Sequence, residues 1–332
     1  MLLPQHRYLK PASLDNCLAE LSKTGESGQI IAGGTDVIFN MRLKLFRPET
    51  VISIRRLPEL QQVEQLPDGS IRIGASCRLT DLAEHRLIQK RFPALTNSIA
   101  AVASQHIRNI GTLGGNICLQ TRCWYTNNSE QWRQGKTTCF KTDGDICHVI
   151  KSASGCHAIN NADTPIALIA LSARLTIQKV GSQRELPIAE FYNDDGMDHI
   201  KLDPDELVTH VTIPPTEDRV VFLKNASRKG IDFSIGSIAA RCDRVGNETA
   251  NGDRALKHVT LVLGSLSTAP IVLSRAAEII KTCGLTDAAI EQAADAVRED
   301  LGEVTNLYSR AVYKKQLARV LVKRALKQLR ET

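Results

Sequence analysis

The sequence contains no apolar run that approaches the roughly 20 residues needed to cross a bilayer. Pro4 interrupts the N-terminus before a signal-peptide core could form. The surplus of positive charge is also small, since 42 Lys and Arg face 36 Asp and Glu, for a net charge of +6 spread over 332 residues. A surplus this small and dispersed does not form the basic patch that is typical of nucleic-acid-binding proteins. We therefore predict a cytoplasmic protein that binds neither membrane nor nucleic acid and is long enough for two or three domains.

The motifs of several common enzyme classes are missing as well. Neither a G-x-G-x-x-G fingerprint nor a Walker loop is present, which disfavours a Rossmann NAD site and an NTPase. There is no G-x-S-x-G elbow and no H-E-x-x-H, and the eight histidines form no ligand pattern. With no candidate catalytic residue, the chain is more typical of a protein that carries electrons through cofactors and leaves bond chemistry to another chain.

Hydrophobic periodicity divides the chain into two regions. In the first, the spacing predicts a helix over residues 11–25, a strand over 29–32 and a helix over 35–45, and this α/β alternation continues to about residue 104. Beyond a boundary near residues 215–220, three strands precede three helices, which is the order of an α+β domain. These six elements are predicted at residues 220–223, 234–243, 258–266, 275–281, 287–297 and 312–329.

Residues 120–160 show no sustained helical or strand period. A structureless stretch of that length inside a compact domain needs something other than an apolar core to order it. Four cysteines fall in this segment with the spacing C-x15-C-x7-C-x8-C, whereas the other five are dispersed and are interpreted as small buried apolar residues. The clustered cysteines are Cys123, Cys139, Cys147 and Cys156, and the dispersed ones are Cys17, Cys77, Cys118, Cys242 and Cys283.

The cysteine cluster indicates a tetrathiolate site, which holds either tetrahedral zinc or an iron–sulfur cluster. Zinc sites usually use two tight C-x2–4-C knuckles, which are missing here, so the spacing favours iron–sulfur over zinc, with unligated thiols as a third alternative. Both tryptophans, Trp124 and Trp132, lie in the same segment with Tyr125 and Phe140, and these four aromatic residues could exclude water. Five cations of this segment could offset the charge of about −2 on a [4Fe-4S] thiolate cluster and raise its potential. They are Arg122, Arg133, Lys136, Lys141 and Lys151.

Two glycine pairs, Gly33–Gly34 and Gly114–Gly115, each lie at a turn beside a regular element. Glycine lets backbone N–H groups approach phosphate oxygens closely, although one isolated pair more often marks a tight turn. Polar side chains that could bind a nucleotide accompany the pairs. They are Thr35, Thr112 and Asn116 as donors, and Asp163 as an acceptor from a ribose or ribityl hydroxyl or, alternatively, as a helix N-cap.

Four motifs in this order resemble the FAD-binding subunits of molybdenum hydroxylases, the xanthine dehydrogenase family. They are IIAGGTD at residues 30–36, RNIGTLGGN at 108–116, DTP at 163–165 and DF at 232–233. The resemblance covers essentially the whole chain. It implies an α+β fold with a two-part FAD-binding domain of the vanillyl-alcohol-oxidase/PCMH type at residues 1–217, which carries an iron–sulfur loop at about 120–160. A C-terminal α+β domain of the CO dehydrogenase flavoprotein type follows at residues 218–332.

The same resemblance implies a set of FAD-binding residues. Asp163 is expected to bind the ribityl or adenosine part, and Lys224 is expected near the flavin ring. One backbone wall around the FAD pyrophosphate is formed by Ile30, Ile31, Ala32, Gly33, Gly34, Thr35, Asp36 and Val37. The second wall is formed by Ala103, Thr112, Leu113, Gly114, Gly115 and Asn116.

The cysteine segment is similar to that of the 4-hydroxybenzoyl-CoA reductase branch of this family. This similarity implies that Cys123, Cys139, Cys147 and Cys156 bind a [4Fe-4S] cluster. It also implies a function for the chain as an electron-transfer subunit between a ferredoxin-like donor and a small subunit with two [2Fe-2S] clusters. The chemistry, reductive dehydroxylation of an aromatic acyl-CoA, is expected in a molybdopterin-binding large subunit, within a dimer of heterotrimers.

Two other functions stay open at this point. The first is the flavin subunit of an oxidative molybdenum hydroxylase that acts on an N-heterocycle or an aldehyde, with the extra cluster as an electron exit. The second is a non-catalytic binding module with a structural zinc. Flavin and iron–sulfur absorption would exclude the second, and the substrate that is turned over would separate the first from the reductase.

Overall fold

In the computed structural model, which describes residues 2–228, 230–243, 247–248, 254–302 and 309–331, the chain begins with a three-stranded parallel sheet. Its strands are β1 (Arg7–Leu9), β2 (Gly28–Ile31) and β3 (Thr50–Ser53), in the order β1-β3-β2. The connections carry the helices α1 (Leu14–Thr24) and α2 (Val37–Arg42). Parallel strands need such crossover connections, because a tight hairpin can join only antiparallel strands. The elements predicted at residues 11–25, 29–32 and 35–45 are confirmed.

Helix α1 shows how the sequence determines this first part. The Ser13 hydroxyl accepts a hydrogen bond from Asn16 N and caps the helix, and Gly25 ends it with a φ of +48°. Cys17, Leu18 and Leu21 recur on one face and are buried in the same apolar cluster as Ile52 of β3. The helix therefore packs against the sheet and orients the end of β2, where the first glycine pair follows.

The second part is built on an antiparallel five-stranded sheet in the order β4-β5-β8-β6-β7. Its strands are β4 (Val63–Gln65), β5 (Ile71–Gly74), β6 (Arg174–Lys179), β7 (Ser182–Pro187) and β8 (Leu207–Ile213). Between β5 and β6 lie α3 (Leu79–Glu84), α4 (Arg86–Arg91), α5 (Pro93–Ala100), α6 (Gln105–Arg108), α7 (Leu113–Ile117), α8 (Glu130–Gln134) and α9 (Thr164–Ala170).

The apolar spacing of residues 79–89 is typical of one helix, but the structure has two, α3 and α4, because the backbone is extended at His85. Leu82 and Ile88 are both buried in the same core, at 1% and 0% exposure. Six residues apart on a continuous helix, they would point in directions roughly 120° apart. The break at His85 lets both side chains enter the core, which hydrophobic spacing alone did not indicate.

The C-terminal part contains an antiparallel sheet in the order β14-β13-β10-β9, followed by three helices. The sheet strands are β9 (Arg219–Asn225), β10 (Gly236–Cys242), β13 (Val259–Gly264) and β14 (Ile271–Val272), and a separate short pair is formed by β11 (Asn247–Glu248) and β12 (Arg254–Ala255). The helices are α10 (Ser274–Cys283), α11 (Asp287–Asp300) and α12 (Ala311–Glu331). The predicted order of strands before helices is confirmed.

Both faces of this C-terminal sheet are buried, and this joins the two halves of the chain. Ile238 and Ala240 on β10 pack into the cluster formed with α10, α11 and α12. Ala239, which points to the opposite face, belongs instead to the core around α5 and α9, together with Phe222 and Val262. Successive residues of a strand point to opposite faces, so the strand sequences read as continuous apolar runs.

Residues 120–160 are largely irregular, as predicted. They contain the five-residue helix α8 and an isolated bridge between Arg122 and Ile159 that closes the base of the segment. Among the dispersed cysteines, Cys17, Cys77 and Cys242 are buried as expected, whereas Cys283 at the end of α10 is exposed. No helix in the described part of the chain is both long and apolar enough to cross a bilayer.

Candidate functional site

The two glycine segments that lie far apart in the sequence are in direct backbone contact. A Cβ atom on Gly33 would lie 1.9 Å from the carbonyl oxygen of Ile110, so no other residue could occupy this position unless one of the two backbone segments moved. On the other side of the contact, a Cβ atom on Gly111 would lie 3.7 Å from Thr35 Oγ1. The segments at residues 30–37 and 108–116 therefore form one continuous wall.

The first segment leaves its backbone accessible. Ile30 and Ile31 complete β2, Val37 begins α2, and the turn between them contains Ala32, Gly33, Gly34, Thr35 and Asp36. Gly34 has a φ of +75°, a conformation that residues with a side chain rarely adopt. Residues 32–37 are all partly exposed, whereas Ile31 is buried. Main-chain groups rather than large side chains thus line this side of the wall.

In the second segment, one glycine of the pair packs inward and the other faces out. Thr112 caps α7 by accepting a hydrogen bond from Gly115 N at 3.2 Å. Leu113 is fully buried, and a Cβ atom on Gly114 would lie 2.7 Å from that of Ala75. Gly115 is exposed. Of these residues, Gly115 therefore offers the most open surface to a ligand.

Of two further residues predicted for the second wall, Ala103 precedes α7 and Asn116 lies within it. Ala103 adopts a left-handed backbone with a φ of +42°, which is uncommon for a residue with a Cβ. The Asn116 side chain accepts hydrogen bonds from the hydroxyl of Thr164 at 2.7 Å and from its N–H at 3.2 Å. Asn116 thus ties α7 to the start of α9, next to Asp163.

Asp163 and Lys224 form an ion pair that joins the start of α9 to β9. Lys224 Nζ lies 2.7 Å from Asp163 Oδ2 and also donates to the carbonyl of Ala101 at 2.8 Å. Asp163 is only 4% exposed, and its Oδ1 atom has no hydrogen-bond partner in the described part of the chain. Burial raises the pKa of Asp163 to about 6, although Lys224 acts in the opposite direction. Asp163 does occupy the N-cap position of α9, as the alternative interpretation predicted, but its side chain makes no capping hydrogen bond.

A second ion pair, which the sequence did not indicate, connects the first glycine segment to the cysteine segment. The guanidinium of Arg122 pairs with Asp36, whose other carboxylate oxygen accepts from Gln120 N at 3.3 Å. Aromatic rings lie on the guanidinium, with centroids 5.0 Å away for Phe39 and 5.6 Å for Phe233. The positive charge of Arg122 is thus paired with the Asp36 carboxylate, so Arg122 does more than offset negative charge on the cysteines. Residue spacing carries no signal for this contact, because the partners are 86 positions apart.

The four clustered cysteines line one cavity, to which we refer as the tetracysteine cavity. Cys139 and Cys156 are buried, whereas Cys123 and Cys147 are partly exposed. Tyr125, Phe140, Lys141, Ile146 and Val149 contribute further parts of the wall. Of the aromatic residues predicted to exclude water, Tyr125 and Phe140 are therefore at the cavity, whereas Trp124 is 46% exposed.

Hydrogen-bond donors lie close to the sulfur atoms. Burial raises the pKa values of Cys123 and Cys156, whereas the backbone N–H groups of Tyr125 and Thr126 act in the opposite direction on Cys123, and that of Ala158 does so on Cys156. Ile150 N lies 3.5 Å from Cys147 Sγ, and Thr142 Oγ1 lies 3.6 Å from Cys139 Sγ. Burial raises the pKa of Cys123 to about 11, so metal binding there would release a proton. Donors aimed at sulfur stabilise thiolates, the form that binds metal.

The spacing of the sulfurs does not suit a single zinc ion. Zn–S bonds of about 2.3 Å in a tetrahedron place the sulfurs about 3.8 Å apart. Among the described residues, no three of the four Sγ atoms lie within 4.8 Å of one another. A group that does meet this limit is Asp218, Asp243 and His258, but its carboxylates already pair with Arg241 and with backbone N–H groups. The sulfurs of the described residues are therefore not arranged as a preformed mononuclear zinc site.

Gly196, which lies outside the cysteine segment, packs against Cys156 of the tetracysteine cavity. Its N–H donates to Cys156 O at 2.8 Å, and a Cβ atom there would lie 2.8 Å from Cys156 Sγ. The close approach requires glycine, so this position is part of the site. An isolated glycine in a polar loop gave no sequence signal for that role.

Comparison with protein families assigns both halves of the chain. Residues 4–216 match the FAD binding domain in molybdopterin dehydrogenase, and residues 221–329 match the CO dehydrogenase flavoprotein C-terminal domain. Together the two models cover nearly the full length, and they agree with the α+β architecture of both parts.

Curated relatives carry related names. The aldehyde oxidoreductase FAD-binding subunit PaoB of Escherichia coli K12 is 33% identical over 64% of this chain and 70% of its own length. The 6-hydroxypseudooxynicotine dehydrogenase complex subunit alpha of Paenarthrobacter nicotinovorans is 27% identical over 97% of this chain and 94% of its own. The carbon monoxide dehydrogenase medium chain of Hydrogenophaga pseudoflava is 25% identical over 98% and 97%, respectively.

Solved structures show the same fold. A chain of carbon monoxide dehydrogenase from Hydrogenophaga pseudoflava superposes with a TM-score of 0.79 at 23% identity, covering 98% of both chains. A chain of quinoline 2-oxidoreductase from Pseudomonas putida 86 gives 0.79 at 21% identity over 100% of this chain and 99% of that one. From these matches and the family models, the chain belongs to the FAD-binding medium subunits of the molybdenum hydroxylase family, of the CO dehydrogenase and xanthine dehydrogenase type.

Proposed function

We propose that this chain is an electron-transfer subunit that holds both FAD and a [4Fe-4S] cluster within a molybdenum enzyme. The observation that carries the proposal is the contact between the two candidate sites. Arg122, which adjoins Cys123 of the tetracysteine cavity, pairs with Asp36 of the first glycine segment. One ion pair therefore joins the walls of both sites, as expected if electrons pass between them.

The FAD pyrophosphate would be held by residues 30–37 on one side and by Ala103 and residues 112–116 on the other. The glycine-to-backbone contact at Gly33 supports this assignment, because it keeps side chains out of the wall. The buried Asp163 Oδ1 atom, which lacks a partner among the described residues, would accept a hydrogen bond from a hydroxyl of the cofactor. Lys224 would supply positive charge near the flavin. Bound FAD provides a carrier that takes electrons one or two at a time.

Cys123, Cys139, Cys147 and Cys156 would bind the cluster. Three properties of the tetracysteine cavity support iron–sulfur over zinc: the hydrogen bonds to the sulfurs of Cys139 and Cys147, the lack of any three described sulfurs within 4.8 Å of one another, and the rings of Tyr125 and Phe140 in its wall. The residues of this chain therefore bind the iron, stabilise the thiolates and limit the access of water. A [4Fe-4S] cluster provides a one-electron carrier. A non-catalytic module with zinc is disfavoured on the same grounds.

For the activity of the whole enzyme we propose reductive dehydroxylation of an aromatic acyl-CoA, as in the 4-hydroxybenzoyl-CoA reductase branch. The cysteine segment supports this proposal. A molybdopterin-binding large subunit would carry the substrate, and a small subunit with two [2Fe-2S] clusters would connect it to FAD. A ferredoxin-like donor would deliver electrons, and the assembly would be a dimer of heterotrimers. Within this chain, the proposed boundary at residue 217 falls between β8 and β9.

A second candidate function is supported by the relatives. The names of PaoB and of the 6-hydroxypseudooxynicotine dehydrogenase subunit describe an aldehyde oxidoreductase and the dehydrogenation of a nicotine derivative. An oxidative hydroxylase that acts on an aldehyde or an N-heterocycle would use the same FAD wall. In that case the cluster in the tetracysteine cavity would pass electrons from FAD to an external acceptor, rather than from an external donor to FAD.

Purification of the intact complex under anaerobic conditions tests both the cofactors and the direction. We expect flavin absorption, about four iron atoms assigned to this chain, and turnover of 4-hydroxybenzoyl-CoA with a strong one-electron reductant. Turnover of aldehydes or N-heterocycles alone, with an electron acceptor, would establish the second candidate. A chain with flavin but stoichiometric zinc in place of iron would contradict the cluster.

A further inference from the structure

The five cations of the cysteine segment have very different surroundings. Arg122 pairs with Asp36, and Arg133 donates to the carbonyls of Asn128 and Leu43 at 2.5 and 2.6 Å. Lys136 is exposed, with its nitrogen 5.4 Å from the Trp132 ring centroid. Lys151 is exposed as well. Of these four, Arg122 is paired with a carboxylate, Lys136 and Lys151 are screened by solvent, and Arg133 is not among the residues that line the tetracysteine cavity.

Lys141 differs from the other four because its side chain lines the tetracysteine cavity. Its Nζ atom donates to Gly196 O at 2.7 Å and to Thr121 O at 3.2 Å, and it also bonds the Thr121 hydroxyl. These acceptors are neutral, so they fix the position of the ammonium without cancelling its charge. Burial lowers the pKa of Lys141, whereas the neighbouring Cys156 and Cys123 act in the opposite direction.

The position of Lys141 also relates the cavity to the FAD wall. Lys141 Nζ lies 3.4 Å from Gln120 Oε1, and the backbone N–H of Gln120 donates to Asp36. Through Gln120, the ammonium group of Lys141 is thus connected to Asp36 of the first glycine segment. A charge there lies beside the cysteines and next to the connection that joins the two candidate sites.

We propose that Lys141 sets the reduction potential of the cluster in the tetracysteine cavity by compensating its negative charge. This inference rests on the proposed function, since it requires that the cavity hold a [4Fe-4S] cluster. One-electron reduction adds one negative charge to a cluster that already carries about −2 with its thiolates. A cation shielded from solvent stabilises the reduced form more than the oxidised form, and this raises the potential.

The test compares charge removal at three positions in the intact complex. Lys141→Met, Lys136→Met and Lys151→Met remove the same charge from the same segment, but Lys136 and Lys151 are exposed. Lys141→Gln keeps a donor for Gly196 O without the charge, and Lys141→Arg keeps the charge. The midpoint potential of the cluster is measured for each variant by redox titration followed by EPR, and iron and flavin are quantified in parallel.

We expect a more negative cluster potential in Lys141→Met and Lys141→Gln, a smaller shift in Lys141→Arg, and values close to wild type in the two exposed controls. An unchanged potential in Lys141→Gln, or an equal shift in the controls, would overturn the inference. If the uncharged variants lose iron and Lys141→Arg retains it, the charge is needed for the cluster, which supports the inference. Loss of iron in all three variants would instead assign Lys141 to loop structure. Absence of iron from the wild-type complex would overturn the proposed function itself, a distinct outcome.

Discussion

Lys224 Nζ lies 2.7 Å from Asp163 Oδ2, and this ion pair connects the C-terminal sheet to the helix that begins beside the second glycine segment. Both side chains are largely buried, at 12% and 5% exposure. The pair leaves the second carboxylate oxygen of Asp163 without a partner in the described part of the chain. Asp163 Oδ1 can therefore accept a hydrogen bond from a bound ligand. The ion pair also brings together Asp163 of the N-terminal half and Lys224 of the C-terminal half.

The first prediction concerns the pH dependence of FAD binding. In the free protein, burial raises the pKa of Asp163 to about 6. A cofactor hydroxyl that donates to Oδ1 favours the ionised carboxylate, so bound FAD lowers that pKa. Affinity is therefore complete above about pH 6 and falls, by up to about tenfold per pH unit, as the pH decreases below that value. Titration of the apoprotein with FAD between about pH 5 and 8, followed by flavin fluorescence, measures this effect.

Asp163→Asn is the control for this pH dependence. The amide keeps the shape of the side chain but cannot titrate, and it leaves Lys224 without a counter-ion. We expect weaker FAD binding in this variant at all pH values and no change in affinity around pH 6. If the variant shows the same pH profile as wild type, the titrating group is not Asp163.

The second prediction separates the two glycines of the second segment. The nearest neighbour of a Cβ atom on Gly115 would be the side-chain oxygen Thr112 Oγ1, at 3.0 Å. A Cβ atom on Gly114 would lie 2.7 Å from the Cβ atom and 2.9 Å from the carbonyl oxygen of Ala75. Gly115→Val should therefore lose most of its FAD with little change in Tm, because the side chain blocks the wall. Gly114→Val should lower the free energy of unfolding by about 1–3 kcal/mol. Flavin content and thermal unfolding of both purified variants decide the matter, and full flavin in Gly115→Val would contradict the proposed wall.

Much of the C-terminal fold follows from local sequence patterns. Helix α11 was predicted for residues 287–297 and spans Asp287–Asp300, because Thr286 caps it and Ile290, Ala294 and Val297 recur on its buried face. Strand β7 was not predicted. Its sequence SQRELP is mostly polar, it lies at the edge of its sheet, and it forms because Gly181, with a φ of +72°, reverses the chain after β6.

The residues of the candidate site could be named from motifs, but their contacts could not. Asp163 and Lys224, which are 61 positions apart, were expected to bind different parts of one cofactor. Their pairing depends on the packing of the C-terminal sheet against α5 and α9. Likewise, five cations near the cysteines are equivalent by sequence, and only the path of the loop distinguishes Lys141. Long-range charge pairing leaves no periodic pattern in a sequence, so the structure was needed to find it.

The third prediction concerns the ligands in the tetracysteine cavity. Cys139→Ala removes a buried thiol that accepts a hydrogen bond from Thr142 Oγ1. We expect loss of most of the iron while flavin is retained, since the FAD wall lies outside the cavity. Cys283→Ala, which changes an exposed cysteine at the end of α10, should leave iron and flavin unchanged. Iron analysis and visible spectra of anaerobically purified complexes provide the measurement, and a full iron content in Cys139→Ala would remove this residue from the ligand set.

The last prediction concerns the ion pair between Arg122 and Asp36, whose side chains are 14% and 16% exposed. Arg122→Met keeps apolar contact with the Phe39 and Phe233 rings but leaves the Asp36 carboxylate without its counter-charge beside the proposed pyrophosphate wall. We expect the free energy of unfolding to fall by about 2 kcal/mol and the Kd for FAD to rise, because an uncompensated carboxylate repels phosphate. Urea unfolding and FAD titration measure the two effects.

Asp36→Asn in the Arg122→Met background separates charge from packing. Removing the carboxylate also removes the repulsion, so the double variant should bind FAD more tightly than Arg122→Met alone, although its stability does not return to the wild-type value. Together with the Asp36→Asn single variant, these values complete a double-mutant cycle, which measures the coupling of the two side chains. If Arg122→Met and the double variant have the same Kd for FAD, the ion pair supports only the fold and not the cofactor wall.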